Sequence, residues 1–596
     1  NGFCDVYVDT NDERVGGCFG TLINGTLSNV ASKGIVLGAN YIGGICGLTG
    51  QRPFFHRVSS ESNVTTSGAV AGGISGKIMD SAVISHARSS GTVLNTGPFD
   101  YNGGISAIMS NVTMVLNSSS TSNISGGDNF NGGIAGLLLT GIIINNSYST
   151  GTLSGNNNTG GIVGRIGDAN TYVENSHYYG GDITSTLSAG GGITGLNWGT
   201  ITNSYFLDGL CELGNGCDDT NGGVEYSAAQ MSVEGNYSGW DFTSGRNWVL
   251  KSAANYPTLS FEDCTTYTEV TAATSFAGGD GTGGAPYQIE TLAQLQFATT
   301  LPTSNFILNN NIDASGSCYS WTPFGSNAAP FTGVFNGNSK TVQGLFIEND
   351  STDSGFFGSI NGATVSDLSL HNFVTGLNNL RAGSLAGDAN NSTITSVINY
   401  GHVVNAADDT GGLVGIAQNG TTITTSSNSG YVGSNSDDVG GLVGDCDNCT
   451  ITNSTNSGNI SGYDDVGGIV GQSSNTATIS DVKNSGLIQG ETSVGGGVGN
   501  LSAATDSITN GLSIGSVYGD TSSASFVADK DAGATVTDSF FLDTACGVGP
   551  PVGCAEASTA IGLTQANLIL QASYPGGWNF TTIWEINNGV SYPNLR

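Results

Sequence analysis

Positive charge is what this chain most lacks. Its 596 residues hold 14 lysines and arginines against 47 aspartates and glutamates, a formal net charge of −33. Nucleic acid and anionic membranes both need Lys and Arg gathered on one face, so neither is expected as a partner. Long apolar runs are also missing. The nearest, Gly136 to Ile144, is too short to span a bilayer as a helix, so no membrane span is expected in this chain. Histidine is scarce: His56, His86, His177, His371 and His402 are scattered, and none opens a His-Glu-x-x-His zinc-peptidase motif. No Gly-x-Ser-x-Gly elbow sits at a strand-to-helix turn, and there is no phosphate loop. These absences predict a chain that is not an enzyme and requires no cofactor. The enzymatic alternative is a polysaccharide-processing site, built on paired aspartates or on Asp-bound calcium with a basic residue. The scarcity of Lys and Arg weighs against the second form.

Glycine, by contrast, is abundant, with 94 residues. Two glycines, an aliphatic residue, a variable residue and a third glycine recur at intervals of roughly 27–31 residues. The motif is Gly43 to Gly47, Gly72 to Gly76, Gly132 to Gly136 and Gly160 to Gly164, then Gly411 to Gly415, Gly440 to Gly444 and Gly467 to Gly471. Such a period marks a solenoid. Each period holds short β-branched runs, as in Thr422-Ile423-Thr424 and Thr450-Ile451-Thr452, separated by Gly, Asn, Ser and Asp turns. A constant coil length favours a parallel β-helix over a sandwich. Aligned on the motif, Asn399, Asn428, Asn456 and Asn484 share one position, two residues before a glycine. At about 4.8 Å per coil their amides can bond along the axis as an asparagine ladder.

The chain repeats itself once. Tyr205-Phe206-Leu207-Asp208, a Cys loop, Trp240-Asp241-Phe242-Thr243 and Asn255-Tyr256-Pro257 match Phe540-Phe541-Leu542-Asp543, a Cys loop, Trp578-Asn579-Phe580-Thr581 and Ser591-Tyr592-Pro593. Residues 1–260 therefore form a first domain, 261–275 a linker, and 276–596 a second domain with its own N-terminal cap segment and C-terminal Trp/Tyr-Pro unit. A short helix is expected from about Leu292 to Thr299, with Thr291 as its N-cap. Cys211/Cys217 and Cys546/Cys554 are read as local disulfides, Cys446/Cys449 as a tight bridge or half a zinc site, and Cys264/Cys318 as a pin between segments. Cys4, Cys18 and Cys46 lie near the start, and eleven cysteines leave one unpaired.

The segment Gly278 to Ile289, the segment Phe331 to Asn338 and the Gly-Gly-Leu-Val-Gly coils resemble the GLUG-repeat proteins, well over Phe276 to Arg596 and more loosely before it. That resemblance implies a right-handed parallel β-helix in a large secreted or surface protein, in a group that includes adhesins and the non-catalytic parts of IgA-cleaving metallopeptidases. It implies no catalytic residues. The expected fold is thus all-β, two tandem right-handed parallel β-helix domains of about seven coils each.

Several surface expectations follow. Sequons stand at Asn24, Asn63, Asn111, Asn117, Asn123, Asn145, Asn157, Asn236, Asn349, Asn390, Asn391, Asn419, Asn448, Asn453, Asn459, Asn500 and Asn579, candidates for N-linked glycans in a eukaryotic source. Asp408-Asp409, Asp437-Asp438 and Asp464-Asp465 precede the Gly-Gly motif on three consecutive coils. They form either a calcium site or a solvated acidic turn. The first domain carries Asp100-Tyr101, Asn129-Phe130 and Asn157-Asn158 there, an aromatic patch for a glycan, for a neighbouring subunit or for local packing. No signal peptide opens the chain, and Val15 to Gly20 falls where a second coil belongs. An uncapped end invites a copy of the same chain to stack on it, head to tail. The expected role is an extracellular structural protein, a subunit of a filament, with a surface adhesin for glycan or protein as the alternative.

Overall fold

The structure is a computed structural model. It describes every residue except 1, 5–12, 98–100, 127–128, 188–189, 213–221, 241, 243–246, 251–255, 264–267, 316–318, 350–352, 377–380 and 545–555. About half the chain, 52%, is strand and 4% is helix, and the strands wind into a parallel β-solenoid of about 17 turns. Two compact units divide the chain, one made of Asn1–Thr243 and Asn247–Glu262, the other containing Asp263–Arg596.

Each coil of the first unit contributes a strand to several sheets that run along the stack. The Gly-Gly strands Arg14–Gly16, Tyr41–Gly43, Val70–Gly72, Tyr101–Gly103, Phe130–Gly132 and Thr159–Gly160 form a six-stranded sheet, and the strands after the motif form a seven-stranded one, from Phe19–Ile23 to Thr194–Leu196. The register sets glycine on glycine: Gly16, Gly43, Gly72, Gly103, Gly132 and Gly160 are successive partners. The coil at Gly103 has no complete sequence motif, because Ala107 replaces its last glycine.

The second unit repeats the plan with Gly383, Gly411, Gly440, Gly467 and Gly495 in register. Sterics explain why two glycines are needed. A Cβ on Gly440 would lie 1.8 Å from Val443 O, and one on Gly441 would lie 2.0 Å from Gly468 O and 2.6 Å from Asn456 Cγ. Val, Ile and Leu of every coil fill the interior, with Val443, Ile451 and Val470 among those fully or almost fully buried. Coils also begin earlier than the motif indicates. Tyr287–Ile289, Phe306–Leu308 and the long strand Val334–Asn349 already stack in parallel, in the segment expected to be a cap. Thr268–Glu269, expected as linker, pairs in parallel with Tyr319–Ser320. The helix is Leu292–Ala298, and Thr291 Oγ1 accepts from Gln294 N at 3.3 Å.

Both units close with the same aromatic strap, which runs back over its own solenoid. In the first, Trp240 Nε1 donates to Asn203 O at 2.6 Å and Trp248 Nε1 to Asn146 Oδ1 at 3.1 Å. Further along, Glu262 accepts from Ser119 Oγ at 2.7 Å and from Tyr148 OH at 2.6 Å. In the second, Trp578 Nε1 donates to Asp538 O at 2.8 Å and Trp584 Nε1 to Asp481 Oδ1 at 2.9 Å. The gripped residues Asn146, Asn203, Asp481 and Asp538 have φ between 45° and 53°, a left-handed turn that Asn and Asp tolerate best.

Candidate functional site

Two side-chain columns shape the inside and outside of each coil near the Gly-Gly turn. On the inside, Asn399 Nδ2 donates to Asn428 Oδ1 at 2.8 Å, Asn428 to Asn456 at 2.9 Å and Asn456 to Asn484 at 2.9 Å. All four are fully buried. Each Asn also brackets the glycine two residues on: Gly430 N donates to Asn428 Oδ1 at 3.1 Å, and Asn428 Nδ2 to Gly430 O at 2.9 Å. The space opened by the second glycine of the motif is the space that the amide fills.

On the outside, the paired aspartates part company. Asp409, Asp438 and Asp465 sit in left-handed turns with φ of 50°, 56° and 48°. They are half-buried beside the strand that follows the motif, whose outward residues run Asp388, Ile416, Asp445, Gln472, Asn500 and Asp529. Gln472 Nε2 donates to Asp438 Oδ1 at 2.9 Å and Asp465 Oδ2 at 3.3 Å, and Asn500 Nδ2 to Asp465 Oδ2 at 3.1 Å. Arg381 stands at one end, 2.6 Å from Asp388 Oδ2 and 3.9 Å from both Asp353 Oδ1 and Asp409 Oδ2. The first aspartates are held elsewhere: Ser436 Oγ donates to Asp408 Oδ1, and Asp464 Oδ1 accepts from Asp465 N at 2.9 Å. The expected single edge of six carboxylates, including Asp437, is therefore corrected. Among the described residues no group of three or more His, Cys, Asp or Glu is disposed to hold a metal ion. Gln472, Asn500 and Arg381 are partners that Asp409, Asp438 and Asp465 have in the structure.

Burial raises the half-buried acids, and like charge adds to it. Asp438 is pushed up to about 8 by burial and then by Asp409, and Asp409 to about 7 by burial and then by Asp445. Asp465 and Asp445 rise to about 6, again chiefly through burial. With Asp438 near 8 and Asp409 near 7, this pair is partly protonated at neutral pH.

The first unit places other chemistry on the same frame. Tyr101 and Phe130 occupy the turn, with ring centroids 5.5 Å apart. The outward residues of the next strand run Leu48, Lys77, Ile108, Leu137, Arg165 and Leu196. Its histidines are structural in their surroundings: His56 Nδ1 lies 2.7 Å from Ser85 Oγ, and His177 is packed against Tyr148, Trp240, Trp248 and Tyr256. Burial pushes His177 down to about 3 and His56 well below its ordinary value.

Cysteines and sequons sort by position. Cys446 and Cys449 are joined in a disulfide, both buried, which removes the half-zinc reading. Cys18 is disulfide-bonded, and Cys46 is the free cysteine among the described residues, buried in the core. Cys217, Cys264, Cys318, Cys546 and Cys554 lie outside the described residues, as do the side chains of Cys4 and Cys211. Asn117 and Asn145 are 1% and 0% exposed, and Asn145 Nδ2 donates to Glu174 Oε2 at 3.1 Å, so both are corrected as glycan acceptors in the folded chain. Asn24, Asn63, Asn123, Asn391, Asn419, Asn448 and Asn579 are exposed, and the side chain of Asn349 is outside the described residues.

No family model matches the chain. A stretch of 133 residues is 34% identical to halomucin of Haloquadratum walsbyi (strain DSM 16790 / HBSQ001), covering 19% of this chain and 2% of that protein. Among solved structures, the chain is similar to a Bacteroides ovatus protein described as a candidate immunoglobulin A1 protease. The TM-score is 0.38 at 16% identity, over 54% of this chain and 95% of that one. It is also similar to an IgA1 protease, with a TM-score of 0.34 at 18% identity, over 46% of this chain and 23% of that one. These likenesses concern the fold alone. The expectation that the chain is not an enzyme is nevertheless corrected, because both solved chains bear protease names. At these TM-scores they lend it neither an activity nor a catalytic residue. Among the described residues no helix is long and apolar enough to cross a membrane.

Proposed function

We propose that the chain is a structural solenoid of a secreted or cell-surface protein, of the GLUG-repeat kind, and that copies associate through the strand Phe19–Ile23. One observation carries this reading. Phe19 and Ile23 on that strand are apolar, yet they are 38% and 62% exposed. Exposed apolar side chains on one strand mark a contact surface, here for a second copy of the chain. A heterologous contact of this kind builds a linear assembly. The acidic surface supports an extracellular setting, as does the run of exposed sequons, which are the glycan acceptors of the proposal.

Electron microscopy and sedimentation of the purified chain test it. End-to-end rods that lengthen with concentration, and that Ile23→Lys disperses, are the expected result. Single rods at every concentration refute it. A second reading, a surface adhesin, is favoured by the aromatic turn at Tyr101 and Phe130, which faces outward in a coil where the second unit carries carboxylates.

A further inference from the structure

Arg165 is the unusual cation of this molecule. The chain has more than three acids for each Lys or Arg, and cations such as Lys33 and Arg381 are paired with carboxylates, Lys33 with Glu61 and Arg381 with three aspartates. Among the described residues Arg165 has no carboxylate partner. Its Cζ lies 4.4 Å from the ring centroid of Trp198 and 5.3 Å from that of Phe130, while its buried Nε has no hydrogen-bond partner. Trp198 is 57% exposed. Two rings thus flank a half-buried guanidinium, where an anion gains more from it than in open water.

The surroundings extend the site along the stack. Arg165 and Lys77 occupy the same outward column, three coils apart, which is about 14 Å at the usual strand spacing. Ile108 and Leu137 lie between them, flanked by Tyr101 and Phe130 one turn away. The strip is therefore a cation, an apolar and aromatic floor, and a second cation with an exposed indole beside it. The strands beneath it are paired on both sides: Tyr101–Gly103 lies between Val70–Gly72 and Phe130–Gly132. A peptide has no free backbone here on which to add as a strand. The face offers ring planes and a planar fork, which suit the C–H faces and carboxylates of a sugar chain.

We propose that this strip of the first unit binds an anionic, uronate-containing glycan, with Arg165 on a carboxylate and Trp198, Phe130 and Tyr101 beneath the sugar rings. The corresponding column of the second unit, with Asp388 and Asp445, repels the same ligand.

The test is titration of the full chain with a mannuronate oligomer at low salt, read by tryptophan fluorescence and calorimetry, beside a neutral cello-oligomer and polyglutamate. The mannuronate oligomer is expected to bind, more weakly as salt rises. Arg165→Gln is expected to cost at least tenfold in affinity, the scale of a lost charge-assisted hydrogen bond. Arg165→Lys should fall between the two, because it keeps the charge and loses the stacked plane. Trp198→Ala changes an exposed residue, so it keeps the fold and should also weaken binding several-fold. The proposal is overturned if the mannuronate oligomer does not bind, if Arg165→Gln binds it equally well, or if polyglutamate or the neutral oligomer binds as tightly.

Discussion

The two units share one coil frame and fill it with opposite chemistry. Where the second unit stacks Asn428, Asn456 and Asn484 under the paired glycines, the first places Ser60, Ser89, Ser120 and Ser149, then Tyr178 and Phe206. The contacts a Cβ would make at Gly44, Gly73, Gly104, Gly133, Gly161 and Gly192 show this directly. Where the second presents half-buried aspartates outward, the first presents Tyr101, Phe130 and Arg165. The backbone therefore demands the glycines alone. The column that packs on them and the column beside them are free to vary, so the interior tunes stability and the exterior tunes what the solenoid meets.

The largest way to break this comparison is inside the stack. Asn456→Ala removes one partner each from Asn428 Nδ2 and Asn484 Oδ1 and both bonds to Gly458 in a buried column, and we expect a loss of about 3 kcal/mol. Ser149→Ala in the first unit should cost about 1 kcal/mol or less, because its Oγ has no hydrogen-bond partner to lose. Chemical denaturation followed unit by unit would read both; equal losses would mean the ladder adds nothing to the second unit.

Next comes pH. Asp409, Asp438, Asp445 and Asp465 of the second unit have folded pKa values above their ordinary value of 3.8, up to about 8 for Asp438. Their contribution is full below that ordinary value and is lost as pH rises toward about 8. In the first unit His177 and His56 are depressed, so its stability is lost as pH falls below 6.5 toward about 3. His402, lowered to about 4, opposes part of the gain in the second unit below pH 6.5. Between pH 6.5 and 8 only the second unit should respond. Asp438→Asn should recover on the order of 2 kcal/mol at pH 8 and nothing at pH 4, measured as a shift in its melting transition.

The straps give a smaller contrast. Trp584 Nε1 bonds a carboxylate and Trp248 Nε1 an amide, so Trp584→Phe should cost about 2 kcal/mol and Trp248→Phe about 1 kcal/mol. Equal costs would show that packing alone holds the straps. Smallest of all is calcium. Because the aspartates are held by Gln472, Asn500 and Arg381, neither EDTA nor added calcium should shift either transition by more than about 1 °C. A clear rise with calcium would favour the metal reading.

Much of this frame was legible in the residues. The Gly-Gly period specifies the register because only glycine clears the neighbouring carbonyl, and the asparagines follow from that gap. The Asp column was legible as a column but not as a split one. Adjacent residues differ in backbone region, and the left-handed turn at Asp409, Asp438 and Asp465 sends each pair to different partners, which spacing does not record. The coil at Gly103 escaped because Ala107 breaks the pattern, and the coils before Gly355 escaped because they carry no motif at all. Nor does the sequence say which turns Trp248 and Trp584 grip, since those contacts lie about a hundred residues away along the chain. The contact of Arg165 with Phe130 and Trp198 depends equally on coil register.

The most direct test of one frame carrying two chemistries is hydrogen exchange with mass spectrometry at pH 6.5 and pH 8, corrected for intrinsic rates. Peptides spanning Val432–Val498 should lose protection at the higher pH while those spanning Val70–Val163 keep theirs. Equal change in both, or none in the second unit, would contradict the account.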